Sequence, residues 1–258
     1  MHKWIEALYR TVCNYLPRQS ESKIASDAAE YWSASDDSEK IQDYSHWRGK
    51  GRWQDEKWLQ IGADHYAHFI NLCNMAGVPP ASTQTMIEWG PGGGSNALQF
   101  AKLVSDFYAV DISQSNLTET GRQLRSIAYN GFHPCLIPPE DPSAVQAQID
   151  STVDFFLSTA VFQHFPSKAY GMQILAIAEK LLKPDGLALV QIRYDDKSTR
   201  YRSKQRDYKR QAITFTSYRI DEFWIGCVDQ GFSPLLVYLD PKVNYAYYYL
   251  IKTPDLAP

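Results

Sequence analysis

The sequence predicts an α/β fold: a doubly wound, mostly parallel seven-stranded sheet with an antiparallel C-terminal hairpin and an N-terminal helical cap. Three observations lead there. From about residue 84, short apolar runs alternate with amphipathic segments through five strands, as in a parallel sheet covered on both faces. A glycine-rich turn, Gly90-Pro91-Gly92-Gly93-Gly94, joins the first of these strands to its helix. Near the C-terminus PLLVYL and YAYYYLIK are separated only by DPKVN, a linker short enough for a hairpin.

The elements follow in order. Trp4, Ile5, Leu8 and Val12 share one helical face, so a first helix is expected near 3–16, interrupted by Pro17. SASDDSEK reads as a polar loop or helix start. WLQIGADHYAHFINLCNMAG reads as a longer helix ending at Gly77 and stopped by Pro79 and Pro80. Four of the seven tryptophans fall within 32–58, so residues 1–80 are assigned to an aromatic cap or lid and 81–258 to the sheet domain. In that domain TMIEWG, DFYAVDIS, FHPCLI, VDFFLSTAVF and LALVQIRY are the strands. The fourth is apolar almost throughout, as suits burial on both faces. Helices are expected after the glycine turn, over SQSNLTETGRQLRSIAYNG, around 143–149, over KAYGMQILAIAEKLLK and over RIDEFWIGCVDQGF.

Composition excludes several classes. A chain of 258 residues, 44% hydrophobic and 21% charged, can bury a sizeable core and is not a disordered or coiled-coil sequence. The net charge of −3 does not indicate a globally basic nucleic-acid binder. Cys13, Cys73, Cys135 and Cys227 form no C-x-x-C pair, so neither a zinc ribbon nor a disulfide framework is expected. The N-terminal segment carries charge within its apolar face, and no run of about eighteen apolar residues occurs. A cytoplasmic protein without a membrane span is the expectation.

The chemistry concentrates in Glu88-Trp89-Gly90-Pro91-Gly92-Gly93-Gly94. The glycines let the chain turn tightly off the strand and let a ligand lie against the backbone, and the next helix begins with free N–H groups. Asp111 closes the following strand, where a carboxylate would meet ribose hydroxyls, so an adenosine-bearing cofactor suits the pair. A nicotinamide-dependent oxidoreductase is the rival, but its third fingerprint glycine would fall on Ser95. A non-catalytic ligand-binding module of the same fold stays open.

These residues, with DFFLSTAVFQHFPS and ILAIAEKLLKPDGLALV, resemble the class I S-adenosylmethionine-dependent methyltransferases over about 84–252. The resemblance implies S-adenosyl-L-methionine as cofactor. It implies Glu88 at the methionine end, Gly90, Gly92 and Gly94 along its path, Asp111 on the ribose, and Ile112 and Ser113 beside the adenine. Glu140 or Asp141 would stand near the adenine amino group, and Ser158 to Val161 near the reactive sulfonium. The segment Ser158-Thr159-Ala160-Val161 stands where many adenine and amide nitrogen methyltransferases carry Asn/Asp-Pro-Pro-Tyr/Phe. That argues against a DNA base or a protein glutamine as acceptor.

His164 follows the fourth strand and is the candidate general base; the alternative is an imidazole that shapes the loop. His65 and His68 are three apart on a helix, and Asp195 and Asp196 follow the fifth strand. No third ligand is fixed in either place, so no metal is assigned. Residues 193–219 hold nine Lys or Arg against three Asp, which defines a basic insertion at about 194–213. Arg200 in this insertion, with Trp47, Arg48 and Trp53 of HWRGKGRW, are the candidate substrate contacts. The expected activity is methyl transfer to an oxygen or nitrogen of a small-molecule metabolite, one that could bear phosphate or carboxylate. An RNA methyltransferase using the basic insertion is the alternative.

Overall fold

A computed structural model describes residues 17–34 and 38–254. The helix expected near 3–16 lies outside these residues. The strands are β1 (Thr85–Trp89), β2 (Asp106–Asp111), β3 (Phe132–Leu136), β4 (Val153–Ser158), β5 (Leu182–Arg193), β6 (Phe232–Asp240) and β7 (Tyr245–Lys252). They form one sheet in the order β3-β2-β1-β4-β5-β7-β6. β1 to β5 pair in parallel, and β7 inserts antiparallel between β5 and β6, as the short DPKVN linker requires. From β1 the chain proceeds outward to β2 and β3, then returns to the other side of β1 for β4 and β5. The crevice at the carboxyl ends of β1 and β4 is therefore the topological switch point, where such sheets bind ligands.

The helices among the described residues are α1 (Glu21–Ser33), α2 (Glu39–Tyr44), α3 (Asp55–Ala76), α4 (Ser95–Phe100), α5 (Gln114–Arg125), α6 (Lys168–Leu181), α7 (Tyr208–Gln211) and α8 (Ile220–Asp229). Serines start four of them. Ser20, Ser38, Ser113 and Ser167 each accept a backbone N–H of the first turn of α1, α2, α5 and α6. Gly77, at φ 69°, ends α3 in the left-handed conformation that a residue with Cβ disfavours.

Strand residues alternate between two cores. Ile87, Val110, Phe156 and Val190 face α6 and α8 through Ile174, Ala178, Phe223 and Cys227. Met86, Phe107, Phe155 and Leu189 face α3, α4 and α5 through Phe69, Leu72, Phe100 and Leu124. Both faces are apolar, so the strands read as continuous hydrophobic runs. α3 is thus part of the sheet packing, and the expected boundary near residue 80 coincides with no break in the core.

A third cluster joins the two segments that the sequence left separate. Ile24, Ala28, Trp32 and Ile41 of the N-terminal helices pack on Tyr208, Ala212 and Phe215 of the insertion. Two further differences are local. The helix expected around 143–149 is a 3-10 turn over Pro142–Ala147. α6 stops at Leu181, before Pro184, because Leu182 already pairs with Val153 of β4.

Candidate active site

Glu88 lies near the end of β1 and is 1% exposed. Asn96, in the first turn of α4, donates from Nδ2 to Glu88 Oε1 at 2.6 Å and to Thr159 Oγ1 at 3.1 Å. With its amide nitrogen so engaged, Asn96 accepts through Oδ1 from His65 Nδ1, 2.8 Å away on α3. This fixes the His65 proton on Nδ1, and burial lowers that histidine to about 4. Glu88 Oε2 is buried without a hydrogen-bond partner. Burial raises the Glu88 carboxyl to about 8, with the nearby Asp111 charge adding to the rise.

The sign of this shift has a measurable consequence. Between the ordinary value of 4.5 and about 8, folded Glu88 holds a proton that the unfolded chain releases, so its contribution to ligand-free stability falls as pH rises. Glu88→Gln keeps the oxygen facing Asn96 and removes the titration. The melting temperature of the variant minus that of the parent is expected to grow from about pH 5 to pH 8. A constant difference would mean that Glu88 titrates as an ordinary carboxylate.

Asp111, at the end of β2, accepts Ser113 N at Oδ1 (2.9 Å) and Asn116 Nδ2 at Oδ2 (3.3 Å). Burial raises it to about 6, opposed by these bonds. Asn116 in turn accepts Trp47 Nε1 at 3.0 Å. Between the two acids runs the glycine turn, and its outer side is closed by the N-terminal segment. Gly93 N donates to Ser45 O at 2.7 Å, and a Cβ on Gly93 would collide with His46 O. Gly90, at φ 78°, has the same need on its inner side, where a Cβ would strike Val161.

One cavity collects these groups. Glu88, Asp111 and Thr159 stand at the strand ends, Trp32, Tyr44, Ser45 and His46 roof it, and His164, Tyr170 and Tyr208 close the side. His164 Nδ1 donates to Ala212 O at 2.7 Å, which leaves Nε2 unprotonated, with Gln163 Nε2 at 3.4 Å. Burial lowers His164 to about 4, so the ring is neutral at physiological pH. Its centroid lies 4.8 Å from that of Trp32. Tyr208 ties the two together: it accepts Trp32 Nε1 at 3.1 Å and donates to His164 O at 2.7 Å.

Glu88, Gly90, Gly92, Asp111, Ile112 and His164 are brought together in this wall. Other sequence candidates lie outside it. Ser113 Oγ donates to Trp32 O and caps α5, and Ser158 Oγ donates to Trp89 O, so both hydroxyls serve the scaffold. Gly94 is the N-cap of α4. Pro139 takes the wall position expected of Glu140. Arg48 pairs with the exposed Asp55 at 2.8 Å, and Trp53 packs against His46 at 4.3 Å from behind the wall. Trp47 is occupied with Asn116, and Arg200 lies over Tyr201. The insertion instead contributes Tyr208, and among the described residues the wall contains no lysine or arginine. His65 and His68 do not converge: His68 Nδ1 bonds the Tyr249 hydroxyl at 2.7 Å. Asp195 and Asp196 accept nearby backbone N–H groups, and no group of three or more His, Cys, Asp or Glu among the described residues could hold a metal.

Sequence reasoning missed Trp32, Ser45, His46, Asn96 and Tyr208, whereas Thr159, Ala160 and Val161 of the segment expected near the sulfonium do line the cavity. Asn96 had a local signal, eight residues after Glu88 in the first turn after the glycines. The cap residues had none, because tertiary packing alone brings them over the sheet.

An adenosine-bearing cofactor fits these groups: an unpartnered buried carboxylate oxygen, a second acid one strand over, and a turn open to a ligand at the backbone. Residues 87–190 match the family model described as a methyltransferase domain. The matched segment is thus a methyltransferase domain, its fold is Rossmann-like, and the groups of the cavity fit S-adenosylmethionine. Solved structures share the fold. The magnesium protoporphyrin IX methyltransferase of Synechocystis PCC 6803, with bound S-adenosylhomocysteine, is 14% identical at TM-score 0.61, covering 89% of this chain and 100% of its own. An S-adenosylmethionine-dependent methyltransferase from Clostridium acetobutylicum ATCC 824 is 11% identical at TM-score 0.57, covering 72% and 89%. The N-methyltransferase NodS of Bradyrhizobium japonicum WM9, in complex with S-adenosylhomocysteine, is 9% identical at TM-score 0.53, covering 74% and 86%. No curated protein matches the chain. Among the described residues no helix is long and apolar enough to cross a membrane.

Proposed function

We propose that the protein methylates an oxygen or nitrogen of a small molecule that carries no anionic group and is held under the aromatic roof of this cavity. The supporting observation is the wall itself. Trp32, Tyr44, Tyr170 and Tyr208 offer ring surface, the carboxyl groups are Glu88 and Asp111, and no lysine or arginine of the wall, among the described residues, answers a phosphate or carboxylate. The basic insertion turns its apolar residues to the roof, and its Lys209 pairs with Glu30 at the surface. One solved neighbour, the magnesium protoporphyrin IX methyltransferase, is named for a non-polymeric acceptor.

S-adenosylmethionine supplies an electrophilic methyl group when bound. Glu88 Oε2 would hold the ammonium, Asp111 the ribose hydroxyls, and Ile112 and Pro139 the base. The roof excludes water and aligns the acceptor. His164 Nε2 receives the acceptor's proton. A base near 4 suits a hydroxyl, because an oxygen that has gained a methyl group is a far stronger acid than this imidazolium. An alkylammonium near pKa ~10 would keep its proton, so oxygen fits His164 better than an aliphatic amine.

The test is S-adenosylhomocysteine release with a panel of phenolic and heteroaromatic hydroxyl compounds and amines, each beside its carboxylated counterpart, and with tRNA. Turnover is expected with neutral members and to fall at least about tenfold on adding the carboxylate, which would be buried unpaired. Turnover confined to tRNA, with binding that weakens steeply with salt, would overturn the proposal.

A further inference from the structure

We infer that Ser45, in the N-terminal segment, is part of the cofactor site and donates its hydroxyl to the carboxylate of the cofactor's amino-acid end. The inference rests on the cofactor placement proposed above.

Two buried polar atoms of the cavity wall lack partners in the protein: Glu88 Oε2 and Ser45 Oγ. Ser45 is 7% exposed, so water does not compensate its hydroxyl freely. The pair is chemically complementary to a zwitterion. Glu88 can only accept from an ammonium when ionised, whereas Ser45 can donate to a carboxylate. Neighbouring atoms hold Ser45 in place. Its carbonyl accepts Gly93 N at 2.7 Å, and its own N–H donates to Ile41 O at 2.8 Å. A Cβ on Gly92 would run into that same carbonyl, so backbone contact on both sides fixes the spacing between the segment and the glycine turn. Trp47, two residues on, is tied through Asn116 to Asp111. The stretch 45–47 therefore touches the glycine turn at one end and reaches the second-strand acid at the other.

The experiment compares two ligands by calorimetry: S-adenosylhomocysteine and 5′-methylthioadenosine, the same thioether nucleoside without the amino-acid end. Ser45→Ala is expected to weaken S-adenosylhomocysteine about tenfold or more, the effect of losing a hydrogen bond to a charged group, and to leave methylthioadenosine within about twofold. Equal losses for both ligands would assign Ser45 to structure and overturn the inference, as would unchanged affinity for S-adenosylhomocysteine. Should the alanine variant not fold, Ser45→Cys, nearly isosteric with a weaker donor, makes the same comparison. Parent protein that binds methylthioadenosine alone would sink the amino-acid clamp. Parent protein that binds neither ligand would sink the cofactor placement itself.

Discussion

Replacing His164 with alanine is expected to lower turnover by roughly 10²–10⁴-fold while leaving S-adenosylhomocysteine affinity nearly intact. The imidazole is held by the Ala212 carbonyl at Nδ1 and by packing on Trp32, so Nε2, which Gln163 Nε2 approaches at 3.4 Å, has one orientation. His164→Gln, which keeps a polar side chain without the same basicity, is expected to lose nearly as much. The pH profile separates this role from that of an ordinary histidine. The protonated ring cannot accept a proton, so activity falls as pH falls through the histidine pKa. Burial has lowered that pKa to about 4. The rate is therefore expected to be level in His164 titration from about pH 6 to pH 8. A rise with midpoint near the unperturbed 6.5 would show an exposed imidazole, and a variant with near-parent turnover would assign His164 to loop structure.

Asp111→Ala is expected to weaken S-adenosylhomocysteine by about 1.5–3 kcal/mol, or roughly 10–150-fold. The carboxylate is pre-oriented by Ser113 N and Asn116 Nδ2, so its remaining lone pairs meet a ligand without reorganisation. Alanine also strands the two donors that Asp111 satisfies, which lowers stability apart from binding. Asp111→Asn keeps the shape and loses the charge, and a partial loss of affinity is expected. Because burial raises Asp111 to about 6, calorimetry above that value compares the ionised parent with the variant. Equal affinities would remove Asp111 from the ribose role.

Much of the sheet was legible because both its faces are buried. Ile87 and Met86, or Phe156 and Phe155, belong to opposite cores, so each strand reads as an unbroken apolar run between turn residues. Glu88, the glycines and Asp111 were legible because local geometry demands them: an acid beside a turn, glycine at positive φ, an acid at the next strand end. The roof was not. Trp32, Ser45 and His46 are far in sequence from Tyr208, and only the packing of Ile24, Ala28 and Ile41 on Ala212 and Phe215 brings the two segments together. The cationic insertion misled for the same reason. Its charge count is conspicuous in sequence, but the residues it turns inward are Tyr208, Ala212 and Phe215. Ser113 and Ser158 stood at plausible strand ends, and the backbone groups of Trp32 and Trp89 claim their hydroxyls.

The most direct measurement is a crystal structure of the protein with S-adenosylhomocysteine. The ligand is expected in the cavity at the ends of β1, β2 and β4, its ribose hydroxyls on Asp111 and its ammonium on Glu88 Oε2. Its sulfur is expected to face open space bounded by His164 and the aromatic roof. A nucleoside bound elsewhere, or one whose sulfur is walled off from His164, would contradict methyl transfer in this cavity.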